Sequence, residues 1–101
     1  MQPASRPKVA IVTINWNAAE KTVLCLDSLF QLDYPNFEVF VVDNGSRVNP
    51  EKQIMDRFPV VRFLRLEENS GFTGGNNTAM RMILDEKQAD FIWLVNNDAT
   101  V

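Results

Sequence analysis

Four apolar runs alternate with three amphipathic stretches along this chain, and that alternation most constrains how it can fold. The first run, Lys8 to Asn15, has four consecutive apolar residues from Val9 to Val12 and a fifth at Ile14, as expected for a strand buried on both faces of a parallel sheet. Parallel strands require a crossover connection, and a helix usually supplies it. The sequence therefore predicts an α/β fold, a Rossmann-like parallel sheet with the order β-α-β-α-β-α-β and right-handed crossovers.

The remaining elements follow from apolar spacing and from start and stop residues. The predicted strands are Lys8 to Asn15, Phe37 to Asp43, Val60 to Leu66 and Phe91 to Asn96. The predicted helices run from an Asn17 cap to the Tyr34-Pro35 stop, from the Asn49 cap to about Phe58, and from about Gly74 to Glu86. In a doubly wound sheet the strand order would be 3-2-1-4, with the switch point between the first and fourth strands.

Local patterns also predict which residues cap and cover these elements. Asn17 followed by Glu20 resembles a capping box at the start of the first helix. The buried stripes of the first and third helices are predicted as Val23, Leu24, Leu26, Leu29 and Phe30, and as Ala79, Met82, Ile83 and Leu84.

Polar residues follow three of the four predicted strands at the point where each ends. These clusters are Asn15-Trp16-Asn17, Asp43-Asn44-Gly45-Ser46 and Asn96-Asn97-Asp98. Ligands of open α/β sheets bind outside the carboxyl ends of the strands. The sequence therefore predicts a binding site at this edge of the sheet.

Composition narrows the class of protein. The 101 residues are 46% apolar and 23% charged with a net charge of −3, which argues against disorder and against nucleic acid as a partner. A single cysteine, Cys25, excludes an intrachain disulfide and suits a reducing compartment, and its place in a helical pattern predicts a buried or half-buried side chain. No apolar run approaches the roughly 20 residues of a membrane span, and residues 1–7 lack the apolar centre of a signal peptide.

The composition, the single cysteine and the absence of a signal-peptide pattern predict a cytoplasmic protein. Residues 1–7 are predicted to be a flexible lead-in, and residues 8–101 to form one folded unit. Because the chain ends directly after a site-like cluster, we expect that unit to be part of a larger domain.

Each polar cluster can be interpreted either as a structural feature or as part of a binding site. The first strand is followed by neither Gly-x-Gly-x-x-Gly nor a P-loop, which counts against NAD, FAD and P-loop hydrolysis. Asp43 either closes an ordinary turn or accepts a hydrogen bond from the N–H of a base such as uracil or thymine. The glycines of the segment from Gly71 to Asn77 allow either close packing or a positive φ. Alternatively, they let a ligand approach the backbone, with Asn76 or Asn77 as hydrogen-bond donors to it. Asp98 is either a loop residue or an anchor for Mg²⁺ or Mn²⁺ shared with a diphosphate.

Taken together, several short motifs resemble the nucleotide-binding part of family 2 glycosyltransferases with the GT-A fold. The resemblance spans residues 8–100, and its Gly-Phe-x-Gly-Gly-Asn-Asn form is closest to the rhamnosyltransferase-like branch. The matching stretches are Val9 to Asn17, Leu26 to Leu29, Tyr34 to Val39, Val41 to Ser46, Asn69 to Asn77 and Leu94 to Asp98.

The resemblance implies a role for individual residues. Thr13, Asn15 and Asp43 match positions around the donor nucleotide, with Thr13 and Asp43 at its pyrimidine base. Gly71, Asn76 and Asn77 match a stretch that lines the nucleotide pocket. Asn97 falls at a ribose contact, and Asp98 matches the metal-binding acid of the family's Asp-x-Asp region.

The sequence also departs from the family pattern. Asn stands at two positions of the Asp-x-Asp region where Asp is common, so we expect weaker metal affinity in the absence of the diphosphate. Thr78-Ala79 replaces the usual x-Gly after the asparagine pair. The family's catalytic base lies beyond that region, so no residue up to Val101 is assigned to it.

The implied activity is inverting transfer of a sugar from a UDP- or dTDP-linked donor to a hydroxyl of a saccharide or glycolipid acceptor, assisted by Mg²⁺ or Mn²⁺. Such a parent belongs to polysaccharide biosynthesis and can be membrane-associated. Two alternatives stay open: a sugar nucleotidyltransferase, and a non-catalytic flavodoxin-like binding domain. An exposed sheet edge carrying Phe91, Trp93 and Val95 further predicts homo-oligomers.

Overall fold

The computed structural model describes residues 7–69, 71–86 and 89–97, with side chains at all of these positions except 72. The described residues form four strands and three helices in the predicted alternating order. The elements are β1 (Val9–Asn15), α1 (Ala19–Leu29), β2 (Phe37–Asn44), α2 (Glu51–Arg57), β3 (Arg62–Leu66), α3 (Gly71–Glu86) and β4 (Phe91–Leu94). All three strand pairings are parallel and the strand order is β3-β2-β1-β4, which confirms the predicted doubly wound arrangement.

The helices cover both faces of the sheet. On one face, α1 and α2 pack on a core that includes Ile11, Leu26, Val39 and Ile54. On the other face, α3 packs on a second core made of Ala10, Val12, Phe40, Val42, Ala79 and Ile83. Side chains of successive strand residues point to opposite faces, so β1 and β2 contribute to both cores.

The helix stripes were predicted one residue too wide. Leu24 is 69% exposed and Leu84 is 67% exposed, whereas Leu26, Leu29, Ala79 and Ile83 are at most 1% exposed. The two exposed leucines lie outside the arc that faces the sheet, because each helix packs on it from one side only. Cys25 is 1% exposed, as predicted.

Several boundaries differ from the prediction for local reasons. Helix α3 begins at Gly71 rather than Gly74, and Asn69 Oδ1 accepts a hydrogen bond from Gly71 N at 2.6 Å just before it. Strand β4 ends at Leu94, which is the residue opposite Val12. Strand β3 begins at Arg62, two residues after the predicted start.

The predicted capping box at Asn17 is wrong. The N-cap of α1 is Ala18, without a side-chain cap, and Asn17 has a φ of 49°. Its Oδ1 accepts a hydrogen bond from Arg47 N at 2.7 Å, and its backbone N donates to Ser46 Oγ at 2.8 Å. Asn17 therefore joins the β1–α1 loop to the β2–α2 loop, and asparagine is among the residues that adopt this left-handed backbone most readily.

The helices among the described residues include none that is long and apolar enough to cross a membrane.

Candidate functional site

Strand register brings three polar side chains together at the carboxyl edge of the sheet. Asn15 on β1 lies opposite Asp43 on β2, and Asp43 lies opposite Arg65 on β3. The residues next to them, Ile14 and Asn44, point to the α3 face because side chains alternate along a strand. One edge of the sheet thus carries two separate polar surfaces.

On the α1 face, Asp43 forms a completely buried carboxylate surrounded by donors. Its Oδ1 accepts from Asn15 Nδ2 at 2.9 Å and from Ser46 Oγ at 2.5 Å. Its Oδ2 accepts from Ser46 N at 3.1 Å and from Arg65 Nη1 at 2.9 Å. A carboxylate offers about four acceptor sites, and internal donors occupy that number here. A base could reach Asp43 only by displacing one of them.

The same network extends across α1 to the loop after β4. Thr22 Oγ1 donates to Asn15 Oδ1 at 2.5 Å, and Asn97 Nδ2 donates to Thr22 Oγ1 at 3.2 Å. Both Thr22 and Asn15 have an exposure of 0%, whereas Asn97 is half-buried. The network therefore connects the buried edge of β2 to a residue that solvent reaches.

A cavity of about 460 Å³ lies at the switch point, between the ends of β1 and β4. It is lined by Ile14, Trp16, Ala18, Lys21, Asn44, Asn69, Gly71, Asn96 and Asn97. Trp16 is 52% exposed and offers an aromatic surface, while the four asparagines supply amide donors and acceptors. An aromatic surface with amides around it suits a planar, hydrogen-bonding ligand such as a nucleobase.

The start of α3 forms one wall of this cavity. Asn44 Nδ2 donates to Gly71 O at 2.9 Å and to Asn69 Oδ1 at 3.2 Å. A Cβ atom on Gly75 would lie 3.1 Å from Ile14 Cδ1, and Gly71 has a φ of +79°. Close packing accounts for Gly75, and positive φ accounts for Gly71.

A second, larger cavity of about 750 Å³ lies between the β1–α1 and β2–α2 loops. Its lining includes the buried side chains of Asn15 and Ser46, and the charged residues Glu20, Lys21 and Arg47. Lys21 lines both cavities, so the two cavities are neighbours on either side of this residue.

The residues predicted to bind a nucleotide occupy different environments. Gly71 and Asn97 line the smaller cavity and Asn15 lines the larger one. Thr13 and Asp43 are completely buried, and Thr13 Oγ1 has no hydrogen-bond partner among the described residues.

Asn76 and Asn77 lie outside both cavity linings, Asn76 buried and Asn77 exposed. The metal prediction falls on Asp98, which lies outside the described residues. The nucleotide contacts of all these residues stay predictions.

Sequence reasoning missed Asn44, Lys21 and Arg65. The signal for Asn44 was present, because neighbouring strand residues face opposite sides and only one of Asp43 and Asn44 can face α3. Arg65 had no such signal, since its partner is 22 residues away in sequence.

The described residues provide a limited set of metal ligands. Within residues 7–69, 71–86 and 89–97, His, Cys, Asp and Glu side chains nowhere converge in a group of three or more. Asn96 and Asn97 bring neutral amide oxygens to the smaller cavity. Such oxygens suit Mg²⁺ or Mn²⁺ but add no negative charge, so the fit of a metal depends on a carboxylate beside them.

The model of the family described as glycosyl transferase family 2 matches residues 10–101. The chain therefore belongs to glycosyl transferase family 2. A curated relative, the teichoic acid poly(glycerol phosphate) polymerase of Staphylococcus epidermidis, is 31% identical over 81 residues, covering 75% of this chain and 11% of that protein.

Solved structures of glycosyltransferases share the fold. The mannosyltransferase PcManGT from Pyrobaculum calidifontis, in complex with GDP-Man and Mn²⁺, has a TM-score of 0.76 and 25% identity, covering 96% of this chain and 29% of that one. S. aureus TarS 1-349 in complex with UDP-GlcNAc has a TM-score of 0.74 and 28% identity, covering 90% of this chain and 26% of that one.

These matches define the sheet and helices as the N-terminal half of a GT-A fold. The chain spans about a tenth of the curated relative and less than a third of these solved structures. Family membership favours the glycosyltransferase interpretation over the nucleotidyltransferase and flavodoxin-like alternatives.

Proposed function

We propose that this chain binds the nucleoside diphosphate part of a nucleotide-sugar donor in the smaller cavity at the sheet switch point. The observation that carries the proposal is the composition of that cavity, in which Trp16, 52% exposed, shares the lining with Asn44, Asn69, Asn96 and Asn97. The solved relatives bind GDP-Man and UDP-GlcNAc, which supports a nucleotide sugar as the ligand class.

Residues of the cavity suggest how the parts of the donor would be held. Trp16 would stack on the base, because stacking on an aromatic ring tolerates any base. Asn69 would meet a polar edge of the nucleotide, and Lys21 would attract the negatively charged diphosphate. The base contacts predicted for Thr13 and Asp43 require an opening of their buried positions.

A divalent metal, Mg²⁺ or Mn²⁺, is part of the proposal. Asp98 would hold it together with oxygens of the diphosphate. When bound, the metal would offset the charge of the diphosphate as it leaves. PcManGT was solved with Mn²⁺, which supports this choice of ion.

We further propose that the complete protein is an inverting transferase that moves a sugar from a UDP- or dTDP-linked donor to a saccharide or glycolipid hydroxyl. No residue of this chain is assigned as the catalytic base, and the contribution proposed for residues 8–101 is to bind and orient the donor. A cytoplasmic location, with a parent that can associate with membranes, and a homo-oligomer through the β4 edge belong to the same proposal.

Calorimetric titration of the purified protein with UDP, dTDP and GDP, each with and without Mn²⁺, tests the proposal. We expect UDP or dTDP to bind more tightly with Mn²⁺, and Asp98→Ala to remove the dependence on the metal. Trp16→Leu should weaken binding by about tenfold or more, because the base loses its stacking surface.

Trp93→Leu is the matched control, since Trp93 is 41% exposed on β4 and lies outside both cavity linings. An equal loss of affinity in the two tryptophan variants would contradict the assigned cavity. A folded protein that binds none of the three nucleotides would contradict the proposed function itself.

A further inference from the structure

The buried network beside the cavity has a donor–acceptor direction that Asp43 determines. A carboxylate only accepts hydrogen bonds, so Asn15 must turn its Nδ2 toward Asp43 Oδ1, at 2.9 Å. Ser46 Oγ, 3.3 Å from the same Nδ2, adds a second acceptor on that side. The Oδ1 atom of Asn15 therefore faces away from Asp43, toward α1.

Thr22 is the next residue in the network, and its hydrogen bonds take their direction from Asn15. Because Asn15 Oδ1 is an acceptor, the one hydroxyl proton of Thr22 is donated to it, at 2.5 Å. The oxygen of Thr22 can then only accept from its next neighbour. Asn97 meets that requirement by donating from Nδ2 at 3.2 Å.

The orientation of the Asn97 amide is therefore set by a carboxylate three hydrogen bonds away. Arg65 anchors that carboxylate, since its Nη1 donates to Asp43 Oδ2 at 2.9 Å and its Nη2 donates to Ser46 O at 2.9 Å. With Nδ2 directed at Thr22, the orientation of the Asn97 amide is fixed, and Oδ1 is the hydrogen-bond acceptor that its side chain can offer to a ligand in the cavity. Asn97 lines that cavity and is half-buried.

We propose that Thr22 and Asn15 are positioning residues that hold Asn97 with its amide oxygen toward the cavity, so that Asn97 recognises a hydroxyl group of the ligand. In a nucleoside diphosphate the hydroxyl donors are those of the ribose, and the family resemblance already implies a ribose contact for Asn97; what is new is that Thr22 and Asn15 orient this contact. The inference rests on the proposed function and adds to it the residues that orient the contact.

Comparing two ligands on variants of Thr22 tests the inference. The ligands are UDP and 2′,3′-dideoxy-UDP, titrated calorimetrically in the presence of Mn²⁺. Thr22→Val keeps the shape of the side chain but removes its hydroxyl, so Asn97 loses the acceptor that orients it. We expect Thr22→Val to weaken UDP binding by about three- to tenfold, the net effect of one hydrogen bond, and to leave dideoxy-UDP binding unchanged.

Thr22→Ser is the matched control, because it retains the hydroxyl and should retain the preference for UDP over dideoxy-UDP. Asn97→Ala is a second test variant. Because Asn97 lies outside the buried core, we expect this variant to fold, and it should abolish the preference for UDP over dideoxy-UDP. This variant keeps the test decisive if Thr22→Val does not fold.

Each other result overturns the inference. Equal weakening of both ligands by Thr22→Val would show that Thr22 only supports the fold. A wild-type protein that binds dideoxy-UDP as tightly as UDP would show that no ribose hydroxyl is recognised, while the proposed function would stand. A wild-type protein that binds neither ligand would overturn the proposed function together with the inference.

Discussion

At single residues, the direction of a side chain from its strand separates structural from ligand-facing roles. Asp43 and Asn44 are neighbours, yet Asp43 has an exposure of 0% inside the network while Asn44 lines the smaller cavity. Asn44 is itself mostly covered, at 2% exposure, and holds the start of α3 through Gly71 O. The distinction therefore depends on which face of the sheet each residue occupies.

Thr13 provides a test at this scale. Its side chain is completely buried, and its Oγ1 has no partner within the described residues. Replacing Thr13 by Val removes an unsatisfied hydroxyl and nearly preserves shape, so we expect the free energy of unfolding in urea to rise by about 1 kcal/mol. Thr22→Val is the matched control, and it should lower the same quantity because the Thr22 hydroxyl makes two hydrogen bonds.

Nucleotide titration of Thr13→Val also tests the predicted base contact. A fall in affinity would support a contact between Thr13 and the base after an opening of the site. A loss of stability in Thr13→Val would contradict the view that its hydroxyl is unsatisfied.

At the scale of elements, the loops after β1, β2 and β3 contact one another at the carboxyl edge of the sheet. Asn17 joins the loop after β1 to the loop after β2. The loop after β2 in turn meets the loop after β3 at Gly45, where a Cβ atom would lie 2.6 Å from Asn69 N and from Glu68 C. These contacts define the walls of both cavities.

We predict that Gly45→Ala destabilises the protein much more than Gly71→Ala. Both glycines have similar positive φ, +78° and +79°, so each alanine would bring about 1–2 kcal/mol of left-handed backbone strain. Only at Gly45 would the new methyl group also collide with backbone, and overpacking adds about 1–3 kcal/mol. At Gly71 an added Cβ atom would meet no other atom of the described residues within 4 Å.

Urea denaturation of the two variants measures the difference. Equal losses in the free energy of unfolding would show that the loops after β2 and β3 can separate without cost. That result would contradict a rigid contact between these two loops.

Across the whole molecule, the two outer strands of the sheet differ in composition. Strand β3 carries Arg62 and Arg65, and charged residues discourage pairing at a sheet edge. Strand β4 instead carries Phe91, Trp93 and Leu94, which are 61%, 41% and 42% exposed. The prediction that Val95 is exposed with them is wrong, because Val95 is 7% exposed and packs in the core on the α1 face. The described sheet has order β3-β2-β1-β4, so β4 offers an apolar edge.

We predict that this chain self-associates through β4 at high protein concentration. Trp93→Lys should shift the protein to the monomer in sedimentation equilibrium, because a charge on an edge strand opposes pairing. Leu84→Lys is the matched control, since Leu84 is 67% exposed on α3 and away from that edge. A wild-type chain that stays monomeric throughout the concentration range would contradict the prediction.

Local patterns were sufficient to predict the order of elements and the order of strands. Apolar periodicity is a property of neighbouring residues, and right-handed crossovers then leave few arrangements of a parallel sheet. Boundaries and caps were less accurate: Asn17 looked like a cap by spacing, but it bonds to Arg47, which is 30 residues away.

The sequence by itself therefore determined the α/β architecture, the edge of the sheet at which both cavities lie and the family resemblance. Only the tertiary structure decided which polar residues are buried and which line a cavity. The Asn15–Asp43–Arg65 alignment depends on register among three strands, and the Thr22–Asn97 bond joins residues 75 positions apart. Periodicity carries no information on such pairings, because they arise from packing among elements distant in sequence.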